Sequence, residues 1–223
     1  MQLKFRVKNF FFGHKMLHIH LIFLLLTLSP SLSIVIDCTY DYYDWRTEAS
    51  EILTPIVTDY SCIADVKGII VYKVVTELYG VHAFEKENKD VKIVQISNQN
   101  LLKMPRELEL FFPNIEGFFI NFCNLSSINK EDLQPYKKLK YFSVRNNLFT
   151  RIEGNLFQFS PKLQFVSFGY NKIGEIGNFL LDKLNYLQIA SFIKNKCIDR
   201  IAINDTSAIG QIKKNFVEKC NLK

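Results

Sequence analysis

The sequence is poor in glycine, proline and histidine. Its 223 residues include nine glycines and six prolines, which excludes a collagen-like chain and a disordered chain rich in those two residues. Three of the four histidines fall within the first 20 residues, so His82 stands alone in the rest of the chain. No metal-ligand spacing, nucleophile elbow or phosphate-binding loop accompanies it. We therefore predict a protein that is not an enzyme and that has no catalytic residues, cofactor or metal site.

Acidic residues are missing from the first 33 residues. This stretch has a basic start, then the apolar run Leu21–Leu28, then small residues up to Ser33. That order is typical of a secretory signal peptide, which we predict at residues 1–33, with either Met1 or Met16 as the initiator. The alternative is a transmembrane anchor, but this would need about 20 apolar residues, more than the run supplies.

The net charge is small once this segment is set aside. Removing residues 1–33 takes away four cations and no acid, so the formal net charge falls from +6 to +2. So small an excess argues against a nucleic-acid-binding protein. No later apolar stretch reaches the length of a membrane span, so we expect no membrane insertion. The sequence predicts a secreted, extracellular protein.

A repeat with a period of 24 residues organises the later part of the chain. Its first position is always apolar and falls on Val91, Ile115, Leu139, Leu163 and Leu187. Positions four, six and eleven are apolar as well, and position nine holds Gln99, Cys123, Asn147, Asn171 and Asn195. The resulting pattern, L-x-x-L-x-L-x-x-N/C-x-L, is the leucine-rich-repeat signature. It predicts five such repeats over residues 91–197.

Each position of the repeat has a physical reason. Positions one to six form a short parallel strand, and its residues one, four and six face the core. The chain then turns away, and the backbone groups at the strand end need new partners. A buried side chain at position nine supplies them, so we predict a ladder of Cys123, Asn147, Asn171 and Asn195, with the thiol as a weak donor. Gln99 departs from the pattern, so we expect the ladder to be irregular in the first coil.

The repeats and their flanks resemble extracellular leucine-rich-repeat proteins of animals, most of all the small secreted ones of insects. The resemblance covers residues 38–220. It implies a β-rich α/β fold, a leucine-rich-repeat solenoid in the form of a short right-handed horseshoe with a parallel concave sheet. Disulfide-bonded caps are expected at residues 34–90 and 198–223. The resemblance also implies ligand binding on the concave sheet, often in immunity, adhesion or signalling.

Five cysteines are unevenly placed along the chain. In an exported protein the economical pairing is Cys38 with Cys62 and Cys197 with Cys220, which leaves Cys123 reduced in the ladder. The two other pairings of the four would tie together opposite ends of the solenoid. Five strands about 4.8 Å apart separate those ends by roughly 20 Å, beyond the reach of a disulfide.

The strand positions that do not face the core form the predicted binding surface. They combine aromatic residues and arginine with few acids, a composition typical of interface hot spots. The predicted ligand-binding residues are Phe119, Tyr141, Arg145 and Phe165 at the centre, with Ile93, Ile189, Phe122 and Tyr170 around them. The alternative is that these rings only stack on their neighbours across strands. The predicted partner is a protein or a glycoconjugate, and the alternative function is a self-associating matrix-organising protein, hence a possible homo-oligomer.

Two smaller features complete the predictions. The segment Tyr40–Trp45 is rich in tyrosines flanked by acids, and its rings either cover the open end of the first coil or form an arm that contacts a partner. We favour the first interpretation. Glycosylation sequons begin at Asn204, in the polar C-terminal flank, and at Asn124, beside a tight turn.

Overall fold

A computed structural model describes residues 34–44, 58–68 and 74–220. The predicted signal peptide at residues 1–33 lies outside these ranges. Within them, nine strands form one sheet and two form a smaller parallel sheet. The strands are β1 Ile34–Asp44, β2 Thr58–Gly68, β3 Val75–Tyr79, β4 Ile93–Ser97, β5 Gly117–Asn121, β6 Tyr141–Ser143, β7 Arg151–Ile152, β8 Phe165–Ser167, β9 Glu175–Ile176, β10 Ile189–Ser191 and β11 Ile201–Ile203.

The large sheet is parallel through its centre. Its strand order is β11-β10-β8-β6-β5-β4-β2-β1-β3, with β7 and β9 in the smaller sheet. From β4 to β10, each paired residue lies opposite the residue 24 positions later in the next strand, as Ile93 does with Gly117 and Tyr141 with Phe165. Antiparallel pairs occur only at the flanks of this array, between β1 and β2 and between β10 and β11, among the residues described. The period read from the sequence is therefore the spacing of the coils, and the predicted β-rich solenoid is confirmed.

A continuous apolar interior holds the coils together. Phenylalanine rings from successive coils lie against one another, with 5.8 Å between the centroids of Phe142 and Phe168 and 5.7 Å between Phe168 and Phe192. The Phe192 ring then meets Phe216 of the C-terminal helix at 5.0 Å. Fully burying such a side chain stabilises the fold by about 1.5–3 kcal/mol. Since no coil can bury this face alone, the interior exists only as a stack.

The position-nine side chains bond to the backbone of the preceding coil. Asn147 Oδ1 accepts hydrogen bonds from the backbone N–H groups of Cys123 and Leu125, both at 3.0 Å, and Nδ2 donates to the Ile120 carbonyl at 2.7 Å. Cys123 Sγ lies 3.3 Å from the Ile96 carbonyl, in the place of an amide donor. These contacts satisfy groups that would otherwise be buried without partners.

Gln99 bonds to the N-terminal hairpin instead of extending the ladder in the regular way. Its Oε1 accepts from the Val66 N–H at 2.8 Å, and its Nε2 donates to the Ala64 carbonyl at 2.6 Å. The longer glutamine side chain therefore reaches strand β2, which takes the place of a preceding coil. The irregularity of the first coil follows from its neighbour being a cap strand and not another repeat.

The two flanks cover the ends of the interior in different ways. At the N-terminal flank, a disulfide joins Cys38 of β1 to Cys62 of β2. At the C-terminal flank, helix α2 runs over Thr206–Lys219, and Cys197 is bonded to Cys220 just after it. A short helix α1 spans Lys130–Leu133 on the return side of a coil, and single 3₁₀ turns lie at Asn88–Asp90 and Leu108–Leu110.

Helix α2 forms because its sequence supplies a start signal and one apolar face. The Asp205 side chain accepts a hydrogen bond from the Ala208 N–H at 2.9 Å and so caps the first turn. Ile209, Ile212 and Phe216 follow at helical spacing and are buried. The helix therefore lies with its apolar face on the last coil and closes the interior at that end.

Candidate binding surface at the ends of the strands

Five of the eight predicted ligand-binding residues are buried. They share the outward face of the parallel strands and pack into one apolar cluster, here called the stripe: Ile93, Phe119, Tyr141, Phe165 and Ile189. Each is at most 7% exposed. The prediction that these five side chains face solvent is therefore wrong.

Register explains why the stripe is buried. In a parallel sheet, equivalent side chains of neighbouring strands stand only about 4.8 Å apart, so large residues in successive coils cover one another. Tyr141, Phe165 and Ile189 are in-register neighbours of this kind. Phe119 lies two residues further along β5 than Gly117 and stacks on Phe165 from two coils away, with ring centroids 6.1 Å apart. Tyr43, near the end of β1, adds an edge contact to Phe119 at 5.2 Å. The stripe is therefore a second small core, as the stacking alternative proposed.

Gly117 lets the stripe close. It occupies the position that Tyr141 and Phe165 hold in later coils, and a Cβ placed there would lie 2.5 Å from Ile93 Cδ1. The same Cβ would lie 3.2 Å from the Tyr141 Cβ. Ile93 and Tyr141 therefore occupy the space over the glycine, and a side chain at residue 117 would push them apart.

The other three predicted residues lie just beyond the strand ends and remain accessible. Phe122 is 53% exposed and Tyr170 is 43% exposed, while Arg145 is half-buried. The Arg145 guanidinium carbon lies 5.5 Å from the centroid of the Tyr170 ring, within cation–π range. We call this region the strand-end margin and define it as Phe122, Arg145, Leu148, Tyr170, Lys172, Lys194 and Lys196.

The backbone of the margin is left-handed at position eight of every repeat. The φ angles there lie between 52° and 58°, at Asn98, Phe122, Asn146, Tyr170 and Lys194. Asparagine adopts this conformation readily, but a bulky side chain pays about 1–2 kcal/mol for it. Two coils of this chain thus place exposed aromatic rings where asparagine would suit the backbone better. The residue types at these two positions therefore go against the local conformational preference of the backbone, and such exceptions concentrate at functional sites.

Charge is unbalanced along the margin. Lys172 and Lys196 are exposed, and no described carboxylate lies within salt-bridge distance of either. Lys194 contacts Asp199 at 3.7 Å. Lys172 and Lys196 were not predicted from the sequence as part of the binding surface, although the repeat frame places them beside Arg145 and Tyr170.

The opposite ends of the same strands carry paired charges. Glu116 lies 3.3 Å from Lys92 Nζ in the preceding coil and also pairs with Lys140 in the next. Burial alone would raise the pKa of Glu116, but hydrogen bonds and attraction from Lys140 and Lys92 outweigh burial and hold that pKa below its ordinary value. The lysines at these strand ends therefore share a carboxylate partner, whereas Lys172 and Lys196 at the margin have none among the described residues.

The tyrosine-rich segment packs at the N-terminal flank. The Tyr40 ring stacks on His82 at 3.8 Å and meets Phe112 edge-on at 6.5 Å. His82 Nδ1 lies 3.1 Å from the Tyr60 hydroxyl, and Nε2 lies 2.8 Å from an Asn88 oxygen. Burial, with the nearby Tyr60, raises the pKa of Tyr40 to about 12. These rings and the lone histidine form a structural cluster, while Trp45 lies outside the described residues.

The chain is similar in sequence to a known leucine-rich-repeat protein. The chain is 24% identical over 144 residues to asporin of Bos taurus, a leucine-rich-repeat protein, and no protein-family model matches it. The aligned region covers 64% of this chain, which spans about two fifths of the length of asporin. Together with the 24-residue register of the sheet, this decides the fold. The fold is a leucine-rich-repeat solenoid. The special likeness to insect proteins remains a prediction.

Both sequons of this leucine-rich-repeat chain begin at exposed asparagines. Asn124 has a φ of 56° and donates from Nδ2 to Asn100 Oδ1 at 3.2 Å. Asn204 has a φ of 51° and precedes the cap of helix α2. Among the described residues, no cluster of acidic, histidine or cysteine side chains has the geometry to hold a metal ion. None of the helices in those ranges has the length and apolarity that crossing a bilayer requires.

Proposed function

We propose that this leucine-rich-repeat chain is a secreted, non-catalytic binding protein that recognises a protein or glycoconjugate outside the cell, in immunity, adhesion or signalling. The similarity to asporin supports a leucine-rich-repeat binding role. The two disulfides suit an oxidising compartment, where such bonds form and persist. Cleavage of residues 1–33 and glycans on Asn204 and Asn124 belong to the same proposal.

The exposed aromatic rings of the strand-end margin carry this proposal. Phe122 and Tyr170 hold rings in solvent at left-handed positions, and Arg145 lies against one of them. Aromatic residues and arginine are the residue types that dominate binding energy at interfaces. The stripe beneath supports the margin from within, because its packed rings fix the strands that end there.

A capture experiment tests the proposal with a matched control. Secreted wild-type protein, the double variant Phe122→Asn/Tyr170→Asn and the single variant Phe179→Asn would be incubated with extracellular fluid from the source organism. Phe179 is also exposed, at 75%, and also left-handed, with a φ of 72°, but it lies in the connection after β9. A partner retained by the wild type and the control but lost from the double variant supports the margin. A partner retained equally by all three excludes it.

Self-association is the second candidate, and one feature of the N-terminal flank favours it. Strand β3 is the last strand on its side of the large sheet, and the loop after it exposes Val81 at 91% and Phe84 at 90%. A strand edge with adjacent apolar side chains can pair with a second copy. Sedimentation equilibrium over a range of concentrations tests this. A mass that rises with concentration supports self-association, and a constant monomer mass excludes it.

Processing is tested on the secreted protein itself. Mass spectrometry of its N-terminus identifies the cleavage site, which we expect after Ser33. Treatment with an enzyme that removes N-glycans should lower the mass, and the variant Asn204→Gln should lose a share of that shift. An unprocessed N-terminus would contradict the signal peptide, and an unchanged mass would contradict the glycans.

A further inference from the structure

Acidic residues are missing from the repeat positions that form the strand-end margin. Positions seven to twelve of the five repeats contain four cations and no aspartate or glutamate: Arg145, Lys172, Lys194 and Lys196. The nearest carboxylate partner comes one position later, at Asp199, and it reaches Lys194 only at 3.7 Å. At the other ends of the strands, Glu116 pairs with two lysines. The lysines at those strand ends thus have a carboxylate partner, whereas positions seven to twelve carry cations and no acid.

The margin is also divided along the axis of the solenoid. The second and third coils present apolar side chains, Phe122 at 53% and Leu148 at 38% exposure, and have no lysine there. The fourth and fifth coils present Lys172, Lys194 and Lys196. Tyr170 lies at the boundary, with the Arg145 guanidinium against its ring. A ligand that spans the margin therefore meets apolar surface at one end and positive charge at the other.

The dimensions of the margin suit a short extended peptide. The coils from β5 to β10 span three intervals of about 4.8 Å, or roughly 15 Å between the outer strands. An extended chain covers this distance with about five residues, at about 3.3 Å each. Side chains of such a segment would contact successive coils, with carboxylates over the lysines and apolar side chains over Phe122.

We propose that the strand-end margin binds an acidic protein segment that also carries apolar side chains. The inference rests on the proposed binding function and names the class of its partner. Charge complementarity selects acidic residues at the lysine end of the margin, because Lys172 and Lys196 have no carboxylate partner in the part of the chain that the structure describes. The apolar half selects protein over a uniformly sulfated polysaccharide, which would offer nothing to cover Phe122 and Leu148.

A random peptide library displayed on phage and selected on the full secreted chain tests the proposal. We expect the enriched peptides to carry net negative charge together with apolar residues. Their binding should weaken roughly tenfold in Lys172→Glu/Lys196→Glu, equivalent to about 1.4 kcal/mol. It should weaken similarly in Phe122→Asn and stay unchanged in Phe179→Asn. Raising the salt concentration should weaken binding to the wild type more than to the charge-reversed variant.

Three results would overturn the proposal. Enriched peptides could be neutral or basic, or they could bind the charge-reversed variant as tightly as the wild type. The third result is that the selection enriches no peptide, while a heparin column retains the wild type to higher salt than it retains the charge-reversed variant. That last result would assign the margin to a sulfated polysaccharide. A circular dichroism melting curve for each variant separates loss of binding from loss of folding.

Failure of this inference is distinguishable from failure of the proposed function. If the capture experiment yields a partner that depends on Phe122 and Tyr170 while acidic peptides fail to enrich, the binding function stands and the partner class is wrong. If neither the capture nor the peptide selection depends on the margin, both proposals fail together.

Discussion

The stripe lies on the parallel strands and the strand-end margin lies just beyond their ends, and the aromatic residues of the two regions differ in whether neighbouring coils cover them. Phe165 in the stripe is 1% exposed, whereas Phe122 in the margin is 53% exposed. In the stripe, the in-register neighbours Tyr141 and Ile189 lie on the two sides of Phe165. In the margin, the backbone turns left-handed and directs the side chain beyond the end of the strand. Position along the repeat, and not residue type, therefore decides whether an aromatic ring contributes to stability or to binding.

Removing an aromatic ring should cost far more stability in the stripe than in the margin. Phe165→Ala should lower the free energy of unfolding by about 3 kcal/mol, because it opens a cavity among packed rings. Phe122→Ala should change it by less than about 0.5 kcal/mol, since the ring is half in solvent. Urea unfolding followed by circular dichroism measures both. Equal losses in the two variants would show that the stripe and the margin are not separate regions.

The second prediction compares two asparagines that are neighbours in the repeat frame. Asn171→Ala should cost about 2–3 kcal/mol, because the Phe149 N–H and the Val144 carbonyl would lose their partner in the interior. Asn146→Ala should cost about 1 kcal/mol, through the left-handed backbone alone. The same unfolding measurement ranks them. A larger loss at Asn146 would mean that the ladder contributes little to stability.

The repeats could be predicted from the sequence because each coil obeys the same local rules. The 24-residue period, the apolar positions and the ladder residues all follow from one frame, and the sheet register reproduces it. Gln99 was expected to break the ladder, and its bonds to Val66 and Ala64 give the reason. Where adjacent coils have the same structure, the repeat pattern in the sequence is enough to predict that structure.

The binding surface could be predicted only in part, because burial depends on what lies beside a residue in space. The repeat frame places Phe119 within a strand and Phe122 beyond its end, but only the folded structure shows that the ring of Tyr43, from a cap strand more than 70 residues earlier, packs on Phe119. The lysines at residues 172 and 196 were visible in the repeat frame. Their importance emerges only when the paired charges at the other edge are set beside them.

The third prediction separates stability from binding within the margin. Phe122→Asn and Tyr170→Asn should each raise the free energy of unfolding by about 0.5–1 kcal/mol, because asparagine adopts the left-handed conformation at lower cost. The same variants should lose binding in the capture experiment. Thermal melting gives the first quantity. A decrease in stability would show that the rings are there for packing, and the functional argument from their backbone would fail.

The last prediction concerns Glu116 and the two lysines that it pairs with at the opposite ends of the strands. Because the pKa of folded Glu116 lies below its ordinary value of 4.5, its ion pairs stabilise the fold at neutral pH. This contribution is fully present above the pKa that Glu116 has in the unfolded chain, and it is lost as the pH falls through the lower pKa of Glu116 in the folded protein. Glu116→Gln should therefore cost about 0.5 kcal/mol at pH 7, and the difference from the wild type should vanish well below pH 4.

Lys172→Gln, at the margin, is the matched control for this measurement. Lys172 has no carboxylate partner among the described residues, so its loss should leave the unfolding free energy unchanged at both pH values. Urea titrations of the wild type and the two variants at pH 7 and at acid pH provide the comparison. If Lys172→Gln proves as destabilising as Glu116→Gln, the positive charges of the margin already take part in the fold. They would then not be available to an acidic partner, because the fold itself would account for their presence.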